Sequence, residues 1–349
     1  MLDLTWPQVI ARRLARSYLL EPAPRERLVD VVREVGLVQA QVLPGAELGL
    51  ALRVRGATAA DVRRELYERR TLVKTWSIRG TLHLVPADEL PLWAAAARGL
   101  EPRPDTALDR AIAEALDGRC LTRKELAEAV GDDRLLSGWA EFLWTPAVTG
   151  KLCHGPPRGA NVTFVRADQW IGGWRDVDPA EARREVLLRY LRAYGPAKVE
   201  DFRRWSGFGH EASRALFGES DLDEVRVEGK RAWLLRGDDT DFGRDPASIR
   251  LLPRYDVYVI GFRPREPLVP EPVKERIKQD PKGRWETVTG IPPLIVDGVV
   301  TGLWRRGESG ELEVEHVLPL PRGRKRELAA AVARVREIVD SPGEAGDTG

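Results

Sequence analysis

Apolar positions along the first hundred residues switch between two periods. Thr5 can cap a helix that has Pro7 in its first turn and runs to about Leu20, and Glu21–Pro24 break it. Leu28, Val31, Val32 and Val35 recur at helical spacing over Arg25–Val35, and Gly36 stops that helix. Thr58–Arg70 reads as another helix, capped by Thr58 with Asp61 three residues on. Val73–Ile78 and Thr81–Val85 then alternate like strands, turning at Arg79-Gly80. Helices followed by a short hairpin are the pattern of a winged helix-turn-helix.

The pattern recurs. Thr122–Val130 is a helix with a Thr122/Glu125 capping box, Leu135–Thr149 reads as a second helix, and Leu152–His154 and Asn161–Arg166 as short strands. Ala180–Ala193, a helix starting within Gly195–Phe202, and Glu211–Phe217 precede strands Glu224–Val227 and Ala232–Leu235. The repetition is one of pattern, not identity. From Ile249 onward the texture changes: Leu251–Phe262, Pro293–Trp304 and Glu311–Leu318 are Val/Ile/Leu-rich runs between turn residues, as in a small antiparallel sheet or barrel, and the helix Arg324–Val339 closes the fold. The expected fold is α+β, with three tandem winged helix-turn-helix units over residues 1–100, 101–178 and 179–248. A small β-barrel with its closing helix follows over 249–340, and a polar tail over 341–349.

Composition narrows the function classes. Hydrophobic residues make up 43% of the 349 and charged residues 31%, which excludes a largely disordered chain. No apolar run reaches the ~18 residues of a membrane span. The N-terminal segment has no separate apolar core or cleavage site, so it reads as a helix of the mature protein. Two cysteines, Cys120 and Cys153, cannot build a disulfide framework, and a reducing cytoplasm is the expected compartment. A net charge of +1 argues against a protein coated in positive charge but leaves room for a local basic groove.

Several chemistries are excluded. The four histidines, His83, His154, His210 and His316, include no pair at helical metal spacing, so neither a metal nor a cofactor is expected. Cys153-His154 is an isolated pair that reads as structural. Gly207–Ala212 resembles a dinucleotide fingerprint but follows a helix, not a strand. The acidic run Asp238–Asp241 reads as a solvated turn. Most of the eleven tryptophans, such as Trp93, Trp139 and Trp205, fall at periodic helix positions that suit core packing better than base stacking.

Gln39-Ala40-Gln41 remains. The chain has five glutamines, and two of them stand two residues apart just after the Gly36 helix stop. In an extended segment both side chains point the same way, and two neutral amides can hold one water between them. Two solvated glutamines in a loop are the plain alternative.

The blocks GLVQAQ, KTWSIRGTLHLVP, KLCHGPPRGANVTFVRADQW, YGPAKVEDFRRWSG, LLPRYDVYVIGF and PPLIVDGVVTGLWRR occur in this order over about residues 5–340. Together they resemble the AlkZ-like bacterial DNA glycosylases, the tandem winged-helix family that includes YcaQ. The resemblance implies a concave DNA-binding surface and a monofunctional glycosylase. Such an enzyme hydrolyses the N-glycosidic bond of alkylated, cationic purines in double-stranded DNA, including some interstrand crosslinks. The family's catalytic Gln-x-Gln falls here on Gln39 and Gln41, which sets the chain with the Gln-x-Gln branch and not the Gln-x-Asp branch. DNA contacts are expected from Arg79, Thr81 and His83 on the first wing, although His83 could equally be structural. Further contacts are expected from Arg305 and Arg306 before the turn Gly307–Gly310, and from Arg254. A monomer without a membrane partner is expected. A non-catalytic winged-helix transcriptional regulator, or a scaffold that uses the groove for protein, are the competing classes.

Overall fold

A computed structural model describes residues 2–100, 105–136, 141–239, 247–280 and 285–340. Thr5 closes a capping box with Gln8, and the helix it starts, Trp6–Arg16, ends four residues before Leu20. It ends there because Ser17 turns its hydroxyl onto the Arg13 carbonyl and Tyr18 takes a left-handed φ of 56°, which swings Leu19 into the core. Helix Leu28–Glu34 stops at Gly36 (φ 72°), as its left-handed geometry requires. A helix the pattern did not single out, Leu43–Ala51, comes next, and the Thr58/Asp61 capping box then starts the helical stretch from Ala59 to Glu68.

Three small sheets follow the hairpins foreseen from alternation. The first has Leu82–Pro86 at its centre, flanked antiparallel by Val38–Gln39 and Leu72–Trp76. The second has Asn161–Val165 between Leu121–Thr122 and Cys153–Arg158. The third joins Leu222–Val227 and Lys230–Leu235 to the N-terminal pair Asp3–Leu4, which adds in parallel. Alternation over two residues carries no signal, so the return of the N-terminus to the third sheet was not readable from the chain.

The expected β-barrel does not close among the described residues. Ile249–Leu251, Pro293–Val296, Val299–Arg306 and Leu312–His316 form an open four-stranded antiparallel sheet in that order, and its two edge strands do not pair among the described residues. Leu251–Phe262 is not a long strand: Asp256 caps a short helix, Val257–Gly261, accepting from the Tyr258 N–H at 2.9 Å. The single helix expected over Leu135–Thr149 is also broken, into turns Asp133–Leu136 and Glu141–Leu143 and a helix Trp144–Val148. Pro146 is compatible only with a first helical turn, so a helix must start just before it. Trp139 and residues 137–140 lie outside the described residues, as do Thr240, Asp241 and the tail 341–349.

The core ignores the expected unit boundaries. One cluster runs from Ile10, Val31 and Leu84 to Leu251, Phe262, Leu294 and Ile338. A second joins Trp93 to Tyr190, Tyr194, Phe202 and Trp205. The first cluster is pinned by a buried pair: Arg53 and Asp256, each 1% exposed, meet through two hydrogen bonds of 2.8 and 2.7 Å. Where the two clusters face each other lies the segment Gly36–Gln41. No helix among the described residues is long and apolar enough to cross a membrane.

Candidate active site

Gly36 and Leu37 (φ 72° and 81°) reverse the chain out of the helix Leu28–Glu34 and feed it to the edge of the first sheet. There Val38 pairs with Leu84 and Gln39 with His83, and the Ala40 N–H donates to the Leu82 carbonyl at 2.7 Å. Ala40 is fully buried, so alternation sends Gln39 and Gln41 together to the other face, both half-buried. The Gln41 Oε1 accepts from the Leu82 N–H at 3.3 Å, which ties that side chain to the sheet edge. Gln39 lines a cavity of about 10 Å³ together with Arg79, His83, Tyr194, Trp205, Val257 and Ile260. That is room for about one water.

The polar wall of the cavity has a defined protonation. His83 Nδ1 lies 2.9 Å from the Thr81 carbonyl, which can only accept, so Nδ1 carries the hydrogen and Nε2 keeps a lone pair. Arg79 Nη2 donates to that Nε2 at 3.2 Å. Burial, and then the charge of Arg79, hold His83 well below the usual imidazole pKa, so it is neutral at pH 7. Arg79 sits in the left-handed region (φ 62°) and also donates to the Trp205 carbonyl. Burial brings it down to about 10, which still leaves it charged. Lys74 pairs with Leu84 and so occupies the opposite face of the sheet from Gln39.

The structure splits the expected DNA contacts. His83 is buried, and the half-buried Arg79 bridges from it to the Trp205 carbonyl at the end of the helix Val199–Ser206. The physical reason is the tight Ser77–Thr81 loop, which folds the Arg79 side chain back onto Trp205. Thr81 is half-buried, with its hydroxyl 3.4 Å from the Ile78 carbonyl. Arg254, Arg305 and Arg306 come together in a cleft of about 820 Å³, joined by Arg276. Arg305 pairs with Glu313, Arg306 with Asp340 and Arg276 with Glu315, whereas Arg254 is exposed and has no ion pair among the described residues. The Arg254 carbonyl packs 3.5 Å from where a Cβ on Gly45 would stand, which ties the cleft to the helix that follows Gln41. Tyr194, Trp205, Val257 and Ile260 were missed as site residues. Their apolar pattern is that of any core position, and only the fold brings them to Gln39.

Among the described residues no group of three or more His, Cys, Asp or Glu could hold a metal, and Cys153 is buried in its strand while Cys120 is exposed. The family model described as DNA glycosylase AlkZ-like matches residues 32–338. An interstrand DNA cross-link repair glycosylase of Streptomyces sahachiroi is 36% identical across 86% of this chain and 87% of its own. The solved structure of Streptomyces sahachiroi DNA glycosylase AlkZ superposes with a TM-score of 0.81 at 30% identity, covering 97% of this chain and 98% of that one. Taken with a mixed α+β fold shared over nearly the whole length, these matches define a DNA glycosylase. The chain belongs to the AlkZ-like DNA glycosylase family.

Proposed function

We propose that Gln39 and Gln41 form the hydrolytic centre of a monofunctional glycosylase for alkylated, cationic purines, interstrand crosslinks among them. The observation that supports this is a one-water cavity lined by Gln39 and by a histidine held neutral, with Gln41, which does not line it, held on the same sheet edge by the Leu82 N–H. A purine alkylated at N7 or N3 already bears positive charge. It leaves as a neutral base without a general acid, and a neutral His83 supplies none. As the C1′–N bond breaks, its electron pair goes to the base and the sugar takes oxocarbenium character. The water oxygen forms the new bond to C1′, and its proton goes to solvent. Amide oxygens at Gln39 and Gln41 hold that water and stabilise the sugar's charge.

The three helix-plus-hairpin units, read as winged helices with the boundaries given above, frame a DNA surface that ends at the Arg254, Arg305 and Arg306 cleft. On this reading Gln39 and Gln41 are the family's Gln-x-Gln pair, and the chain goes with that branch. Free cysteines fit a reducing, cytoplasmic compartment, and the chain is read as a monomer. Incubation with duplex carrying N7-alkylguanine, or a nitrogen-mustard crosslink, should yield abasic sites and free base. Sequence-specific binding to undamaged DNA with no base release would overturn the reading.

A further inference from the structure

Immediately after Gln41 the chain exposes apolar side chains. Leu2, Val42, Leu136 and Val162 are the large hydrophobic residues exposed among the described residues, and of these Val42, at 38%, follows Gln41 directly. Pro44 is exposed as well, while Leu43 between them is half-buried and packs against the first core cluster. A single exposed valine is ordinary on a protein surface. Here it has company: no charged residue stands between Val38 and Ala46, in a chain that is 31% charged. On the helix Leu43–Ala51 the one carboxylate, that of Glu47, is buried and takes two hydrogen bonds of 2.8 Å from Arg63. No carboxylate of this stretch therefore faces an approaching polyanion.

This exposure costs stability. Val42 is the N-cap of that helix, already in the extended conformation of a cap (φ −119°, ψ 100°), yet its side chain can accept no hydrogen bond. Thr58, Asp105, Thr122, Asp178 and Asp256 each accept from the first turn of the helix they begin, and a serine at position 42 would do the same. The helix start is also stiff. The Gly45 and Ala46 N–H groups both donate to the Val42 carbonyl, at 3.0 and 3.2 Å. Pro253 and Asp256 pack on Gly49, 3.3 and 3.2 Å from where a Cβ would stand, so the helix is fastened to the buried Arg53–Asp256 pair. A side chain that parts stacked bases must be apolar, exposed and rigidly held, and this segment is all three.

We propose that Val42 and Pro44 form an apolar wedge, anchored by Leu43, that enters the base stack of the duplex beside the lesion and parts it there. Parting the stack loosens the damaged nucleotide next to the two glutamines that precede the wedge in the chain. The Arg254 carbonyl packs against Gly45 of the same helix start, so the wedge borders the basic cleft. Only the place of the wedge beside the lesion rests on the reading of Gln39 and Gln41; its entry into the stack rests on its own exposure and chemistry.

The test is a duplex whose N7-methylguanine carries a C2′-fluorinated sugar, which resists hydrolysis, flanked by a fluorescent adenine analogue that brightens when unstacked. Saturating wild-type protein should brighten the analogue. Val42→Ser should lose most of that rise, and Val42→Ser/Pro44→Ser all of it. The urea midpoint of Val42→Ser should nevertheless go up, because serine caps the helix. Its single-turnover base release from an ordinary N7-methylguanine duplex should be about tenfold slower or more. Val42→Leu keeps an apolar tip and should restore most of both signals. A variant made more stable and less active at once fits a wedge and not a packing residue. No brightening with the wild type, or full brightening with Val42→Ser, would overturn the proposal. So would a lowered midpoint in Val42→Ser, which would mark Val42 as part of the packing. Gln39→Ala/Gln41→Ala should brighten the analogue as the wild type does, so a failure of the hydrolytic reading leaves this result legible.

Discussion

Replacing Asp256 by Ala should destabilise the protein more than any exposed substitution. Asp256 receives two hydrogen bonds from Arg53, of 2.8 and 2.7 Å, with both side chains 1% exposed, and its Oδ1 also caps the helix Val257–Gly261. The variant leaves the Arg53 guanidinium buried, with the Gly49 carbonyl at 2.6 Å as its remaining acceptor. Breaking a buried pair in this way costs about 3–5 kcal/mol, and the lost cap adds about 1 kcal/mol. Removing both charges in Arg53→Met/Asp256→Leu should recover most of that loss, because the desolvation penalty goes with the charges. Urea unfolding followed by tryptophan fluorescence, with the slope m checked for constancy, gives both values. A loss below about 1 kcal/mol in Asp256→Ala would refute the reasoning. So would a double variant no more stable than the single one. Because the capped helix carries Val257 and Ile260 to the cavity, Asp256→Ala should also slow base release.

Three further outcomes follow from the same geometry. His83 and His154 are both buried and held well below the usual imidazole pKa, so the unfolded chain binds their protons first; stability is complete above about pH 6.5 and falls below it by about 1.4 kcal/mol per pH unit for each. His83→Asn should flatten that acid limb in urea midpoints measured at pH 7.5 and 5.5, and an unaltered limb would contradict the burial argument. Gly261→Ala would put a Cβ 2.1 Å from Tyr194 Cε1, so a loss of about 1–3 kcal/mol and slower base release are expected, and a wild-type melting curve would show that the contact yields freely. Arg305→Glu/Arg306→Glu should weaken binding to damaged and undamaged duplex alike and flatten the salt dependence, whereas an unchanged slope would set that hairpin away from DNA.

Local signals in the chain were sufficient where they were short-range. The Thr58/Asp61 and Thr122/Glu125 boxes and the Gly36 stop all stand where capping chemistry puts them. The hairpin strands Leu72–Trp76 and Leu82–Pro86 were legible by alternation. Long-range facts were not. The barrel expectation failed because a Val/Ile/Leu-rich run fits a short capped helix as well as a strand, and only Asp256 distinguishes them. Spacing and rarity singled out Gln39 and Gln41, which the fold sets on one sheet edge, and the resemblance supplied the role proposed for them; the inward fold of Arg79 had no such signal. Nothing in Arg79-Gly80 says that the side chain folds inward onto Trp205.

The central claim is that Gln39 and Gln41 together place the attacking water. Single-turnover base release from an N7-alkylguanine duplex, at saturating enzyme, separates chemistry from binding. Gln39→Ala and Gln41→Ala should bind the duplex as the wild type does but react about 10²–10³-fold more slowly, or about 2.7–4 kcal/mol. Gln41→Asp should retain measurable activity, because a carboxylate can still hold water and adds negative charge near the oxocarbenium. A Gln39→Ala/Gln41→Ala double variant that releases base at the wild-type rate would contradict the account, and the hydrolytic centre would have to lie elsewhere.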